Sequence, residues 1–432
     1  METRIVKVST RQPIGHFTSL QGPERLETFQ VDTAHEAYPA IEEAATHLRE
    51  RDTPVAFPTE TVYGLGADAT RSASVRGIYA AKNRPADNPL IVHVSDLDML
   101  RSYLGGEDIP EKYQPLIERF WPGPLTMLMP NSDNSRLAPE VTAGLKSFGA
   151  RMPSTSLALS LIKLTGRPLA APSANASTKP SPTMAQHVKY DLDGRIELIL
   201  DGGPCEVGVE STVVDGLCDP PALLRPGGIG IDELRKCPGW ENVVKAYKDQ
   251  GHDGKTAPRA PGMKYKHYSP KARVILYEAS CADGAEGITA ADAERALSPE
   301  EGVADTCNAN VMRKVGVIRT KRWRQAAGLH SNKLAPAAST DDARDGDDQQ
   351  PGTSYQVLQG ELISASGEVR GGLLDIDLGR ETRGIAQGLF SALRELDQLG
   401  AAIIFVDGID DELDIAGAVM NRLRKAASEI RV

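Results

Sequence analysis

The sequence predicts an α/β protein of two unequal domains, and three observations support this prediction. Short apolar runs alternate with amphipathic stretches from about residue 33 to Lys236, which is typical of α/β folds. The alternation stops between residues 237 and 270 and then resumes in a shorter stretch. The length of 432 residues suits two domains.

The elements predicted for the first domain follow a tail at residues 1–28. Thr33 and Glu36 fit a capping box, so we expect a helix that begins near Thr33. Its apolar stripe consists of Ile41, Ala44, Ala45 and Leu48. The later elements are, in order, a strand at VAFP (55–58), a helix over 72–82, a strand at PLIVHV (89–94), helices before Trp121, strands at LTMLMP (125–130) and FGARM (148–152), a helix with Leu157, Leu161 and Leu164 on one face and Gly166 and Pro168 at its end, and strands at LAAP (169–172) and ELIL (197–200).

The second domain is predicted to be a smaller α/β unit. Its strands are expected at ARVILY (272–277), VGVIR (315–319) and AAIIFVDG (401–408). Two amphipathic helices carry Ile385, Leu389, Leu393 and Leu396, and Ala416, Val419, Met420 and Leu423. Residues 327–352 are rich in Ala, Asp and Gln, and we expect them to form a disordered, solvated insertion.

Composition excludes several classes of protein. The net charge of -10 argues against a protein that coats nucleic acid. The cysteines at 205, 218, 237, 281 and 307 include no CxxC pair, which argues against a zinc site or a disulfide framework. No stretch has the length of a membrane span, and we expect a cytoplasmic protein. Basic and hydroxyl residues among the first twenty leave a mitochondrial fraction open.

Clusters of prolines, small residues and hydroxyls stand where the predicted strands end, with five cations among them. Ligands of open α/β sheets bind outside strand ends, and hydroxyls and amides held by Pro/Gly turns can cradle phosphate. The sequence has no GxxxxGK[ST] loop, so we predict a polyanion site of another kind. The clusters are PTETVYGLGA (58–67), KNRPADNPLIVH (82–93), WPGPLT (121–126), ARMP (150–153), APSAN (171–175), KPSPT (179–183), GVESTVVDG (208–216) and LRPGGI (224–229), and the cations are Lys82, Arg84, Arg151, Lys179 and Arg225.

Each of these residues, taken alone, has a simpler explanation. Lys82 and Arg84 fit the solvated end of a helix, and His93 fits a hydrogen-bonded core histidine. Ser173 and Ser181 fit turns, and WPGPLT fits a packing element. Only the clusters together indicate a ligand site.

In this order, the clusters resemble the long two-domain form of the threonylcarbamoyl-AMP synthase family. The resemblance covers about residues 30–235, PGMKYKHYSP (261–270) and AVMNRLRKAAS (418–428). It implies a YrdC-like twisted open α/β catalytic domain at 29–236, a linker or lid at 237–270 and a Rossmann-like domain at 271–432. It also implies synthesis of threonylcarbamoyl-adenylate from L-threonine, bicarbonate and ATP with Mg²⁺, releasing pyrophosphate. The implied product serves a downstream threonylcarbamoyl transferase complex that modifies tRNA.

The resemblance also implies residue roles. Lys82, Arg84, Ser173 and Asn175 form a KxR…SxN set expected to be catalytic on the triphosphate, and Arg84 and Ser173 also bind ATP. Further ATP contacts fall on Asn88, Ser147, Ser181 and Arg225, and the threonine site falls on Thr61, His93, Arg151, Ala171 and Ser211. Tyr265 and His267 are expected in the lid, and no protein side chain is expected to bind metal. Thr178 stands where many relatives have glycine.

Three rival functions come from other classes. An RNA-binding YrdC-like module without synthase activity is the first, and a weak RNA contact would fit such a domain, but the intact threonine motifs argue against binding as the whole function. A carbamoyl-transfer domain of hydrogenase maturation proteins would require paired zinc-finger cysteines and an acylphosphatase region. A catalytically idle interaction protein would be expected to show eroded KxR or SAN motifs, and both are intact.

Overall fold

The structure of the protein is a computed structural model. It describes residues 2–22, 24–85, 88–247, 267–297, 313–337, 355–364, 366–412 and 415–432. The chain divides into two compact units, Met1–His267 with Leu413–Ala418, and Tyr268–Glu412 with Val419–Val432.

The first unit is built on an eleven-stranded sheet with helices between its strands. The helices are α1 (Tyr38–Glu50), α2 (Ser72–Lys82), α3 (Leu97–Arg101), α4 (Gln114–Phe120), α5 (Pro139–Thr142), α6 (Ser156–Thr165), α7 (Ala185–Leu192) and α8 (Ile231–Arg235). The strands are β1 (Arg4–Lys7), β2 (Gly15–Phe17), β3 (Phe29–Val31), β4 (Val55–Pro58), β5 (Tyr63–Asp68), β6 (Ile91–His93), β7 (Leu125–Pro130), β8 (Ser147–Arg151), β9 (Leu169–Ala170), β10 (Leu198–Asp201), β11 (Thr212–Asp215), β12 (Ala222–Arg225) and β13 (Val244–Lys245).

The large sheet mixes parallel and antiparallel strands in the order β1-β10-β4-β5-β9-β6-β8-β7-β11-β12-β13, while β2 and β3 form a separate pair. The predicted α/β class is therefore confirmed. The predicted stripe of α1 is also confirmed, because Ile41, Ala44, Ala45 and Leu48 are all buried. Gly166 ends α6 with a positive φ of 65°, a conformation that glycine adopts at no steric cost.

Two expectations for the start of this unit are wrong. The predicted tail contains β1, which pairs in parallel with β10 and extends the main sheet. The predicted capping box does not form, because α1 begins at Tyr38, and its N-cap residue Ala37 has no side-chain cap bond. Instead, Asp32 accepts a hydrogen bond from the backbone N–H of Ala34 in a tight turn before the helix.

Strand β8 shows how the sheet positions the candidate site. Phe148 and Ala150 point into the main hydrophobic core. Because side chains alternate along a strand, Ser147, Gly149 and Arg151 face the other side. The strand thus carries polar groups at its two ends and a buried glycine between them, where an added Cβ would lie 3.0 Å from Thr126.

The second unit has a seven-stranded sheet in the order β16-β17-β18-β15-β19-β14-β20. Its helices are α9 (Ala290–Leu297), α10 (Thr382–Gln398) and α11 (Ala416–Ala426), and its strands are β14 (Arg273–Tyr277), β15 (Lys314–Arg319), β16 (Ala335–Pro336), β17 (Val357–Ile363), β18 (Val369–Asp377), β19 (Ala401–Asp407) and β20 (Glu429–Arg431). The five neighbouring strands β18, β15, β19, β14 and β20 are all parallel. Parallel neighbours require crossover connections of the kind that helices supply. This arrangement is a Rossmann-like α/β architecture.

The low-complexity insertion is only partly as predicted. Ala327 and Leu329 are buried in the core of the second unit, and Ala335–Pro336 pairs with β17, so the start of the segment is folded. Alanine and leucine can pack into a core even where the composition is biased. Residues 338–352 lie outside the described residues. Across the described ranges, no helix combines the length and apolar character needed to cross a membrane.

Candidate active site

A row of polar residues crosses the first unit's sheet. His93 at the end of β6 lies opposite Arg151 at the end of β8. The register of β7 with β8, in which Met127 faces Ala150, brings Thr126 beside Arg151. All three side chains are buried and belong to the face opposite the main core. Two predicted threonine-site residues are therefore neighbours.

His93 is a neutral imidazole. Burial, together with the smaller effect of the positive charge of Arg151, lowers the pKa of His93 from 6.5 to about 3. Its Nδ1 lies 3.3 Å from the backbone oxygen of Ile91. A carbonyl oxygen only accepts hydrogen bonds, so Nδ1 carries the ring proton and Nε2 is left as an acceptor.

Arg151 is held by a carboxylate that the sequence prediction missed. Its Nη2 donates to Oε1 of Glu60 over 2.7 Å, and both side chains are about 95% buried. The second oxygen of Glu60 accepts the backbone N–H of Ser154 at 3.1 Å. Nε of Arg151 is buried and has no hydrogen-bond partner among the described residues. An acceptor brought by a ligand would satisfy this donor.

A second hydroxyl and arginine cluster continues the row. The hydroxyl of Ser211 lies 2.8 Å from that of Thr126. Arg225 donates through Nε and Nη2 to the carbonyl of Ser211 and through Nη2 also to its hydroxyl, over 2.9–3.0 Å. The predicted threonine residue Ser211 and the predicted ATP residue Arg225 therefore share one network.

The predicted ATP residues Asn88 and Ser147 lie toward the other end of the same strands. Ser147 begins β8, four residues before Arg151, which corresponds to about 13 Å along the strand. Asn88 stands just before β6, and its buried Oδ1 has no hydrogen-bond partner in the described part of the chain. Nη2 of Arg84 donates to the backbone oxygen of Pro89 at 3.2 Å.

Lys82 ends α2 and turns inward. Its ammonium donates to the backbone oxygen of Ser173, to the backbone oxygen of Asn175 at 2.6 Å and to Oδ1 of Asn175 at 3.3 Å. Asn83 follows with a left-handed φ of 51° and caps the helix, a position that asparagine tolerates. The KxR…SxN residues Lys82, Ser173 and Asn175 are thus brought into direct contact.

The following loop carries two further features. The hydroxyl of Ser181 donates to the buried carboxylate of Glu210. Thr178, predicted to stand in place of a glycine, has a positive φ of 75°, which strains a β-branched residue. The departure from glycine therefore has a physical cost at this turn.

The remaining predicted residues are less closely connected. Thr61 is buried with its hydroxyl 2.9 Å from that of Thr59. The backbone N–H of Ala171 donates to the oxygen of Ile91. Tyr265 lies outside the described residues, and His267 is half-buried at the start of the next described range.

Sequence reasoning missed Glu60, Thr126 and Glu210 as site residues. All three lie inside motifs that were singled out, PTETVYGLGA, WPGPLT and GVESTVVDG. A carboxylate between two threonines in an otherwise small and apolar motif was the available signal for Glu60, because an acidic residue is rarely buried without a cation.

The site contains a cysteine that is not a nucleophile. Burial raises the pKa of the Cys205 thiol far above its usual range, and the charge of Glu60 raises it further. A thiol nucleophile must be a thiolate, so Cys205 is inert here. In the ranges that the structure describes, no group of three or more His, Cys, Asp or Glu side chains could hold a metal ion.

Two family sequence models match the chain. The model described as "Telomere recombination" matches residues 47–227. The model described as "Threonylcarbamoyl-AMP synthase, C-terminal domain" matches residues 229–428. The two matches together extend over most of the sequence.

Similar proteins and a similar solved structure point to the same family. Threonylcarbamoyl-AMP synthase of Schizosaccharomyces pombe is 43% identical over an alignment of 453 residues that covers 100% of this chain and 98% of the relative. The protein of the same name from Bacillus subtilis is 41% identical over an alignment that covers 90% of this chain and 93% of the relative. The crystal structure of P. abyssi Sua5 complexed with L-threonine superposes with a TM-score of 0.68 at 36% identity and covers 99% of both chains.

Proposed function

The chain belongs to the threonylcarbamoyl-AMP synthase family, and from this premise we propose that it makes L-threonylcarbamoyladenylate from L-threonine, bicarbonate and ATP and releases pyrophosphate. The product then serves the threonylcarbamoyladenosine modification of tRNA through a downstream threonylcarbamoyl transferase complex. A cytoplasmic location suits this role.

One observation carries the proposal. The polar groups at the end of β6 and β8 fit an amino acid, and those near the start of the same strands fit a nucleotide. The side of β8 that faces away from the core has only Gly149 between Ser147 and Arg151. The two groups of polar residues are therefore placed to bind the two ends of one ligand, with an amino acid at one end and a phosphate at the other.

In this proposal, an ion pair and hydrogen bonds bind threonine. The buried Nε of Arg151 suits the carboxylate of threonine, because an arginine binds carboxylates in a fixed geometry. Nε2 of His93 and the hydroxyl of Thr61 or Ser211 suit the hydroxyl and the amine. Glu60 keeps Arg151 in place, so that the guanidinium needs no reorganisation when threonine enters.

The chemistry needs two steps and no covalent protein intermediate. The neutral amine of threonine attacks bicarbonate, a C–N bond forms, water leaves and a carbamate remains. A carbamate oxygen then attacks the α-phosphorus of ATP in line, and pyrophosphate leaves with the electron pair of the broken P–O bond. The chain supplies positioning and charge for both steps.

The phosphate end supplies the charge. In this proposal Arg84 faces the triphosphate from the start of the strands, and Arg225 reaches it from the Ser211 network beside the threonine end. Hydrogen bonds are added by Asn88, Ser147, Ser173 and Ser181. Mg²⁺ arrives on ATP as part of the substrate and neutralises the leaving pyrophosphate. The donors are preorganised, which lowers the free energy of the transition state more than that of the ground state.

The test uses the purified full-length protein with ATP, bicarbonate and labelled L-threonine. We expect pyrophosphate release and an adenylate that both depend on threonine and on bicarbonate. Arg151→Met should abolish turnover, whereas Arg76→Met, which changes an exposed arginine of α2, should not. Adenylate formation without bicarbonate would contradict the proposal, as would RNA binding without any turnover.

The linker is a finer part of the proposal. Tyr265 and His267 would close over the bound substrates and keep water from a mixed anhydride that hydrolyses readily. Truncation after Tyr247, which keeps Trp240 in the core and β13 in the main sheet, and the double change of Tyr265 and His267 to Ala should both lower the yield of intact adenylate. Equal yields from both variants and the full-length protein would leave the linker as a tether.

A further inference from the structure

Lys82 is a buried cation whose donors are directed at one loop. The residue is 2% exposed. An ammonium has three N–H donors, and this one donates to three oxygens of Ser173 and Asn175. A lysine that reached directly for a phosphate would have to give up at least one of these bonds.

The loop at residues 173–179, here called the phosphate loop, is fastened to Lys82 from both sides. The backbone oxygen of Lys82 accepts the N–H of Ser177 at 2.9 Å. Nδ2 of Asn175 donates to the backbone oxygens of Ala176 at 2.8 Å and Lys179 at 3.0 Å. Lys82 and Asn175 thus form a bracket that sets the path of the loop.

The bracket is connected to the rest of the site through Ser173. The phosphate loop leaves the sheet at the isolated bridge between Gly64 and Ser173, next to the hairpin that carries Thr61. The backbone N–H of Ala174 donates to the oxygen of Tyr63. A change in the path of the loop therefore moves the Ser173 hydroxyl and the loop amides.

We propose that Lys82 is a positioning residue that acts on ATP through the phosphate loop, and that it does not contact the triphosphate itself. The contacts to phosphate come from Ser173 on one side and from Arg84 on the other. This inference rests on the proposed function. It differs from the direct triphosphate contact that the KxR…SxN resemblance implies.

The physical reason lies in the cost of burying an ammonium. Such a group is tolerated only where well-placed acceptors replace its water. The acceptors of these three hydrogen bonds are neutral oxygens, so the bonds shape the loop while the positive charge still acts on a nearby anion. Arginine cannot replace lysine in this place, because a planar guanidinium does not fit three acceptors arranged around a compact ammonium.

The test compares Lys82→Met and Lys82→Arg with Lys189→Met, which removes an exposed lysine of α7 in the same unit. Calorimetry on the full-length protein measures the binding of ATP, pyrophosphate, adenosine and L-threonine. In both Lys82 variants, we expect the dissociation constants of ATP and pyrophosphate to rise at least tenfold. Those of adenosine and L-threonine should change by less than about threefold. Lys189→Met should change none of the four.

Hydrogen exchange without ligand separates positioning from contact. Both Lys82 variants should exchange the amides of residues 173–179 faster than the wild type, whereas Arg84→Ala should not. If Lys82→Arg keeps its ATP affinity within threefold and exchange is unchanged, Lys82 binds phosphate directly and the proposal fails. If the affinities for all four ligands fall together, the residue has only a general structural role, and the proposal also fails.

A further variant covers the case in which Lys82→Met does not fold. Asn175→Ala keeps the ammonium and removes part of the bracket, so it should show the same selective loss for ATP and pyrophosphate with faster exchange in the loop. Unchanged pyrophosphate binding and loop exchange in this variant would overturn the bracket.

The wild-type assay keeps the two proposals apart. In one outcome, the Lys82 variants selectively lose ATP and pyrophosphate binding, but the wild type makes no threonylcarbamoyl-adenylate. This outcome would overturn the proposed function and leave the bracket standing. A wild type that makes the product while its variants show no selectivity would do the reverse. A wild type that binds neither ATP nor pyrophosphate would overturn both.

Discussion

Acid should destabilise the first unit through His93. The pKa of His93 is lowered from 6.5 to about 3 by burial and by the charge of Arg151. The unfolded chain therefore takes up a proton near pH 6.5 that the folded chain refuses until about pH 3. The stabilisation is complete above pH 6.5 and is lost as the pH falls through this window.

The size of the effect follows from the linkage relation. Each pH unit inside the window lowers the free energy of unfolding by about 1.4 kcal/mol for one proton. Between pH 6.5 and pH 5, His93 alone should cost about 2 kcal/mol. That loss is a large fraction of the stability of an ordinary domain.

The assay compares the wild type with His93→Gln, which cannot take up this proton. Denaturant-dependent hydrogen exchange of peptides that contain β6 and β8 gives the free energy of opening of this region at pH 8 and pH 5. Between pH 8 and pH 5, the free energy of opening should fall by about 2 kcal/mol more in the wild type than in His93→Gln. His16→Gln, which changes an exposed histidine of the same unit, should behave as the wild type. Equal losses in the wild type and His93→Gln would refute the reasoning.

Four further predictions concern the site and its loop. Arg84→Ala should cost about 2–4 kcal/mol in kcat/KM for ATP while the fold survives, and near-normal turnover at saturating ATP would contradict its role. Valine should scarcely be used and serine poorly, because a site that hydrogen-bonds a hydroxyl leaves polar groups unpaired with valine; calorimetry that shows equal binding of valine and threonine would refute this. Glu60→Gln should raise KM for threonine at least tenfold and leave KM for ATP unchanged, since it removes the charge that holds Arg151 in place; steady-state kinetics would reveal equal changes in both if the residue were merely structural. Thr178→Gly should stabilise the protein by about 0.5–1 kcal/mol by relieving the positive φ, whereas Thr178→Ala should gain less; denaturant unfolding decides between them.

The elements with clear periodicity were predictable from the sequence. The stripe of α1, the apolar runs of β4 and β7 and the glycine end of α6 are all local signals, and each is present in the structure. Strand β1 was not predictable. It has only four residues, and its partner Leu198–Asp201 lies about 190 positions away, so nothing local distinguishes it from a tail.

The site shows the same division. The resemblance of the motifs to the synthase family pointed to His93, Arg151 and Ser211. Their partners were not visible. Glu60 is recognisable as a partner only when β8 places Arg151 within 2.7 Å of it, and Thr126 only when the sheet register sets it beside Ser211. Hydrogen-bond partners across strands depend on the register, which the sequence does not state.

Residues 82–93 show why the cations and prolines of KNRPADNPLIVH stand together. The segment begins at the bracket of Lys82, passes Arg84 and Asn88 on the side proposed for the nucleotide and ends at His93 on the side proposed for threonine. An extended chain advances about 3.3 Å per residue, so Asn88 and His93 are at most about 17 Å apart. In the proposed function, one short segment thus bears on the phosphate loop, the triphosphate and the amino acid. Shortening or lengthening it by one residue would reverse the faces of β6 and turn His93 into the main core. The spacing within this segment, more than any single cation, is therefore what joins the two halves of the proposed reaction.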